Sequence, residues 1–209
     1  MVHTSAVEEE GSDLYFDAEL PTLPLPPDFV VPEDADPRLW AWRKAADVAT
    51  SNSRLAQNDL VLGADTIVIS REKVLGKPRS LDEARTMLRL LRGTDHFVVT
   101  GFTLLQSRGD QPLTLNIGLS ATRVVMKEFT ESELEGYVVT GESLDKAGAY
   151  AIQGKGGKLI SAVDGCITNV IGLPVCKVRS ILWEAGVSLL PYPDDGYCAS
   201  CPGWNGSSR

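Results

Sequence analysis

The spacing of apolar positions along the chain changes from helical to extended and back several times. In "PRLWAWRKAADVATSNSRLA", Leu39, Trp42, Ala45, Ala46 and Ala49 recur at helical intervals. Pro37 suits the start of that helix, where its missing N–H costs no bond. "DLVLGADTIVI" follows as an apolar run of strand length, broken by Gly63 and by one acid, Asp65. "SREK" turns the chain, and "VLGKP" predicts a short strand ending at Pro78. Ser80 and Glu83 make a capping box for "LDEARTMLRLL", whose Leu81, Ala84, Met87, Leu88 and Leu91 share a face, and Gly93 stops the helix.

"HFVVTGFTLLQ" and "LTLNIGLSATRVVMKEF" are rich in β-branched and aromatic residues and are separated by "SRGDQP", which predicts an antiparallel pair. Thr130 and Glu133 form a second capping box, for "ESELEGYVVT", closed at Gly141. "KLISAVDG" predicts another strand, and Pro174 precedes a last helix, "VCKVRSILWEA", which ends at Gly186. Strands alternating with helices predict the α/β class, with a mixed β-sheet and flanking helices.

Outside this pattern, residues 1–37 form a proline-rich segment, and residues 191–209 read as a flexible tail after a domain spanning 38–190. The tail's Cys198 and Cys201 make a C-x-x-C. Structural zinc needs four ligands and redox chemistry needs a helix opening at the motif, so a solvated tail is the simpler reading. His96, in "GTDHF", reads as a loop or strand-start residue, Trp40, Trp42 and Trp183 as core or subunit contacts, and the cations of "KVRS" as a solvated face.

Charge narrows the function. The 209 residues carry a net charge of −8, with a pI of about 4.8. That leaves no global positive field for a nucleic-acid polymer or an anionic membrane. No apolar run reaches the roughly 20 residues of a membrane span, and an acidic start without an apolar run lacks the character of a secretory signal, so a cytoplasmic protein is expected.

Local chemistry concentrates at two places. Asp65 is an acid in an apolar strand, so it either caps a nearby amide or is paired or metal-linked. Lys77, at the exit of the next strand, offers it a cation: a structural ion pair, or a carboxylate for Mg²⁺ and a lysine for phosphate. The second place is "ESLDKAGAYAIQGKGG", residues 142–157. Its glycines would let backbone N–H groups approach a ligand, Lys146 and Lys155 supply local cations, and Gln153 carries donors and an acceptor suited to one edge of a nucleobase. Neither a Walker A loop nor a Rossmann fingerprint is present, so these residues indicate a phosphate or nucleotide site of another kind.

"VLGADTIVI", "LGKPRSLDEARTMLRLLRG", "HFVVTG", "YVVTGESLDKAGAYAIQGKG" and "GCITNVIGLP" together resemble, in order and spacing over residues 37–187, the Maf family of nucleoside triphosphate pyrophosphatases. The "DKAGAYAIQG" form is similar to the branch acting on dTTP and UTP. The resemblance implies a Maf/ITPase-like architecture with a cleft between two lobes, a homodimer, and hydrolysis of a triphosphate to monophosphate and pyrophosphate with Mg²⁺ or Mn²⁺. It implies Asp65 as catalytic base or metal-linked carboxylate, Lys44 and Lys77 as triphosphate ligands, and Thr66 and Gln153 as specificity positions. Lys146 is then read as a phosphate ligand, Asp145 as bracing its loop, and Glu33 as an approximate match to an acid of an Asp-Glu pair. One departure stands out. Family members begin with an S-x-S-P-R-R loop at a helix start, which this chain lacks, and "SNSRLA" at 51–56 follows the Lys44 helix instead. Two functions therefore fit the sequence: a pyrimidine triphosphate pyrophosphatase, and a weakened nucleotide-binding or regulatory protein on the same scaffold.

Overall fold

The structure, a computed structural model, describes residues 31, 35–109 and 111–189. In chain order its elements are α1 (Pro37–Ser51), β1 (Leu60–Ser70), β2 (Lys73–Leu75), α2 (Leu81–Leu91), β3 (Asp95–Gln106), β4 (Leu113–Met126), α3 (Glu131–Val138), β5 (Ile160–Asp164), α4 (Ile167–Ile171) and α5 (Val175–Glu184). The sheet order is β2-β1-β3-β4-β5. β2 folds back on β1 in the register Val68↔Leu75 and Ser70↔Lys73, and β5 pairs with β4 through Val124↔Val163, with a bulge at Val125/Met126. The α/β class with flanking helices is the one expected. The sheet is simpler than expected, antiparallel rather than mixed, because hairpins and returning helices reverse the chain between neighbouring strands.

The residues pack into two compact units. The first holds the chain up to Asp65, with Thr100–Leu119 and the described residues from Val175 onward. Its α1 starts as the sequence predicts, with Pro37 in the first turn and Asp36 as N-cap, accepting a bond from the Arg38 N–H at 2.8 Å. The Arg38 guanidinium forks onto the same carboxylate at 2.6 and 3.1 Å. Ala45, Ala46 and Ala49 of α1 pack with Val61 and Leu105, flanked by Trp42, Val48 and Leu55. Trp42 also donates its indole N–H to the Thr114 hydroxyl at 3.0 Å. In α5, Cys176, Val178 and Ile181 are buried while Trp183 is 62% exposed, so Trp183 is a surface residue within this chain. Lys177 is not simply solvated, as "KVRS" suggested: its ammonium donates to the Leu119 carbonyl at 2.9 Å.

The second unit comprises Thr66–Val99 and Ser120–Pro174. Leu88 and Leu91 of α2, Val124 of β4, and Leu134 and Val138 of α3 are fully buried in its core. The second capping box forms, with Thr130 and Glu133 exchanging bonds reciprocally, but at α2 only half of the expected box does: the Ser80 hydroxyl accepts from the Glu83 N–H at 3.1 Å, while the Glu83 carboxylate accepts from the Arg79 N–H at 2.7 Å. Arg85 forks onto Glu135, and Arg89 and Arg92 both reach Glu131, knitting the outer faces of α2 and α3. The sequence reading did not identify α4, a single short turn. It is held by the fully buried Asn169, whose amide donates to the Val98 carbonyl at 2.9 Å and the Thr122 hydroxyl at 3.0 Å.

His96 lies at the start of β3 as expected, but it is buried, at 2% exposure. Its Nε2 lies 2.7 Å from the Tyr150 hydroxyl, and Nδ1 meets no hydrogen-bonding group among the described residues. An imidazolium would need partners for two N–H groups, and burial accordingly pushes the pKa down to about 4. Because this folded-state value lies below the unfolded one, near 6.5, the stabilisation is complete above pH 6.5 and is lost as pH falls toward 4. Between pH 7 and pH 4.5 His96 should account for a loss of about 2 to 3 kcal/mol. Urea denaturation of the parent and His96→Gln at both pH values checks this, and an equal pH dependence in the two proteins would count against it.

Candidate active site

Alternation along β1 puts Gly63 and Asp65 on one face of the strand. That face lies under α1, and the approach is close. A Cβ at Gly63 would stand 2.1 Å from the Ala41 carbonyl oxygen and 2.8 Å from the Ala45 Cβ. Only glycine permits this contact, and the run of alanines in α1 serves the same end. Lys44 lies on the helix between those two alanines, and two residues beyond Gly63 its ammonium meets Asp65 Oδ1 at 2.5 Å. Side-chain exposures are 34% for Lys44 and 16% for Asp65, so the pair is partly shielded but open to solvent and ligand. Oδ2 of Asp65 accepts no hydrogen bond among the described residues. The partner proposed from sequence for Asp65 was Lys77; the structure supplies Lys44 instead.

The other candidates lie in the second unit. Thr66 donates its hydroxyl to the Gly172 carbonyl at 3.3 Å. Lys77 and Lys146 share one carboxylate, reaching Asp145 Oδ1 at 3.3 Å and Oδ2 at 3.2 Å. All three are exposed, at 68%, 46% and 78% for Lys77, Lys146 and Asp145. The hydrogen bond from Lys146, followed by that from Lys77, holds the Asp145 carboxyl below its usual range. Two cations on one anion leave an excess positive charge on an acidic protein, an arrangement suited to exchanging a side-chain carboxylate for a phosphate. The bracing role read for Asp145 thus takes the form of holding two lysines together.

Gln153 is exposed and makes no hydrogen bond among the described residues. The chain leading to it is fixed by its backbone. The Gly148 N–H donates to the Gly76 carbonyl at 3.0 Å, the Ala151 N–H to the Tyr137 hydroxyl at 3.2 Å, and the Lys155 N–H to the Glu142 carboxylate at 3.0 Å. Gly156 and Gly157 have a use the sequence did not disclose. A Cβ there would stand 2.5 Å from the carbonyl oxygens of Ala151 and Ile152, so the 3₁₀ turn Lys155–Leu159 lies directly on the backbone it follows. These two glycines serve backbone packing, where ligand approach had been expected.

The segment 51–56 leaves the C-terminal end of α1: Ser51 is the last helical residue, Asn52 the cap, and the Arg54 N–H donates to the Asn52 side chain. No helix start presents anion-binding N–H groups there. Glu33, Cys198 and Cys201 lie outside the described residues. Among those residues, no three His, Cys, Asp or Glu side chains group closely enough to hold a metal. A hard divalent cation needs only one or two carboxylates when phosphate oxygens and water complete its shell. Asp65 Oδ2, which accepts no hydrogen bond among the described residues, is a donor of the type such a cation takes. No helix among the described residues is long and apolar enough to cross a membrane.

Comparison with known proteins finds relatives of this chain. The "dTTP/UTP pyrophosphatase" of Pelotomaculum thermopropionicum is 42% identical over 150 residues, covering 72% of this chain and 75% of that protein. A protein of the same name from Anaeromyxobacter dehalogenans strain 2CP-1 is 42% identical over 162 residues, covering 76% and 83%. Another, from Dictyoglomus thermophilum, is 40% identical over 134 residues, covering 64% and 68%. Residues 18–185 match the family described as Maf-like protein, a span that contains α1, all five strands and both groups of candidate residues, and the chain belongs to that family.

Proposed function

We propose that this protein is a nucleoside triphosphate pyrophosphatase that hydrolyses dTTP or UTP to the monophosphate and pyrophosphate. The observation that carries the reading is the Lys44–Asp65 pair, set on one face of β1 by the Gly63 contact. The names of the relatives, at about 40% identity over most of the chain, supply the substrate class.

Hydrolysis of a phosphoanhydride asks for an oriented water, charge neutralisation and an in-line leaving group. Asp65 orients the attacking water and takes its proton as the new P–O bond forms, while the α–β anhydride bond breaks and its electron pair leaves on pyrophosphate. Lys44 is within reach of both Asp65 and an incoming anion, and exchanges one for the other when the triphosphate binds. Lys77 and Lys146 take phosphate oxygens in place of Asp145. Thr66 and Gln153 select the base, and Glu33 is assigned to substrate binding from its sequence position. Mg²⁺ or Mn²⁺, held by the triphosphate and Asp65, would add charge neutralisation and template the phosphates. A homodimer in the cytoplasm completes the reading. No nucleic-acid polymer or membrane takes part.

One observation favours the second reading. The segment nearest in composition to the family's arginine loop, residues 51–56, ends a helix rather than starting one, so it offers no arginine clamp of that kind. Two charge-assisted bonds missing from the transition state would lower the rate by roughly 10² to 10⁴. Pyrophosphate release from dTTP, UTP, dCTP, dATP and dGTP, with Mg²⁺, with Mn²⁺ and with chelator, separates the two. Turnover confined to dTTP and UTP and abolished by chelator is expected. Tight pyrimidine binding without turnover would favour the binding protein.

A further inference from the structure

After a short 3₁₀ turn at Ala147–Ala149, residues 150–154 carry Gln153 without forming a regular element, yet the segment is tied down by two buried phenols on different supports. Tyr137, 4% exposed on α3, accepts the Ala151 N–H at 3.2 Å. Tyr150, 5% exposed within the segment, places its hydroxyl 2.7 Å from Nε2 of buried His96 on β3, with the rings edge-to-face at 5.3 Å. Both attachments fall within three residues of Gln153. The helix and strand that carry them are themselves packed in the core, so the segment inherits their rigidity. Burial raises both phenols, Tyr137 to about 12, so each stays protonated through the physiological range. A buried histidine with one ring nitrogen lacking a hydrogen-bonding partner among the described residues is a costly way to hold a tyrosine where phenylalanine would fill the same space. That cost points to a requirement for the position of the segment rather than for core volume.

We propose that Tyr137 and the His96–Tyr150 pair are positioning residues for base selection, fixing the backbone at 150–151 so that Gln153 presents its amide in one orientation to a pyrimidine ring. This rests on the reading of Gln153 as the base-selecting residue, and deepens it. A carboxamide discriminates a ring edge only if its donor and acceptor are held in register. A displacement of about 1 Å is enough to lose a large part of such an effect.

Tyr137→Phe and Tyr150→Phe keep the rings and remove one oxygen each. The ratio of kcat/KM for dTTP over dCTP, with binding of dTMP and dCMP as an equilibrium check, should fall about tenfold in each variant, mostly through KM. Combined with Gln153→Ala, neither substitution should lower the ratio further, because a positioning residue has nothing left to position. A purely structural contribution would instead lower rates for both bases and add to the Gln153→Ala effect. Unchanged discrimination in the phenylalanine variants, or an additive loss in the double variants, overturns the proposal while leaving the pyrophosphatase reading intact. A parent protein that fails to discriminate dTTP from dCTP overturns both this proposal and the reading of Gln153 as the base-selecting residue. Should the variants not fold, amide exchange in the parent decides: the Ala151 N–H is expected to be as slow as those of β3, and exchange at loop rates contradicts the double attachment.

Discussion

Asp65→Asn should lower pyrophosphate release by about 10² to 10⁴ and leave the protein folded. The two halves of that expectation have different origins. Asparagine has the same shape and its oxygen can still accept from Lys44, so the packing of α1 on β1 persists. The pair it replaces is partly exposed, at 34% and 16%, and such pairs contribute no more than about 1 kcal/mol. What asparagine cannot do is take a proton from water or supply a full charge to a divalent cation. Lys44→Met should act differently, mainly raising KM for the triphosphate, because in the proposed roles it removes a phosphate ligand and leaves the base. Circular dichroism and melting of both variants, beside their kinetics, check the division. A melting temperature that fell in step with the rate would identify Asp65 as a structural ion-pair partner.

Gly63→Ala should be among the most damaging single substitutions in the first unit, although it adds one carbon. Its Cβ would stand 2.1 Å from a main-chain carbonyl, which cannot move without moving α1. Overpacking of this kind costs about 1–3 kcal/mol, and a backbone obstacle belongs at the upper end. The consequence reaches the site because the same contact sets Lys44 against Asp65. A helix lifted by about 1 Å should reduce activity roughly 10²-fold in whatever fraction still folds. Gly136→Ala is the matched control, since nothing lies within 4 Å of its added carbon and it sits exposed in α3. It should be neutral or stabilise by up to about 1 kcal/mol. Comparable losses in the two variants would show that the Gly63 contact has no special role.

Much of this was legible in the sequence, for identifiable reasons. The Thr130–Glu133 capping box, the Ser80 N-cap and the α2 stripe were read because their signals are local: a hydroxyl, an acid three residues on, and leucines repeating at the helical period. The β1–β2 turn and the last helix were likewise marked by their own residues. Asp65 drew attention as a charge in an apolar strand. What could not be read were pairings set by the tertiary fold. Lys44 lies twenty-one residues from Asp65, and nothing local links them; in retrospect the signal was the spacing Gly63-x-Asp65 opposite a helix whose inner face is nearly all alanine. His96 gave no sign of its partner, Tyr150, fifty-four residues away. The glycines of 154–157 attracted a ligand-binding interpretation because sequence shows only that a side chain is absent, and not whether a ligand or a neighbouring peptide occupies the space. The antiparallel sheet, too, depends on strand order, which periodicity does not encode.

The most direct measurement is to identify the products formed from dTTP in water enriched in ¹⁸O. Expected are dTMP and pyrophosphate in equal amounts, with one labelled oxygen in one of the two products and no free phosphate, and suppression of both together by Asp65→Asn. Formation of dTDP with inorganic phosphate, or the absence of any product from a folded protein that binds dTTP, would contradict it.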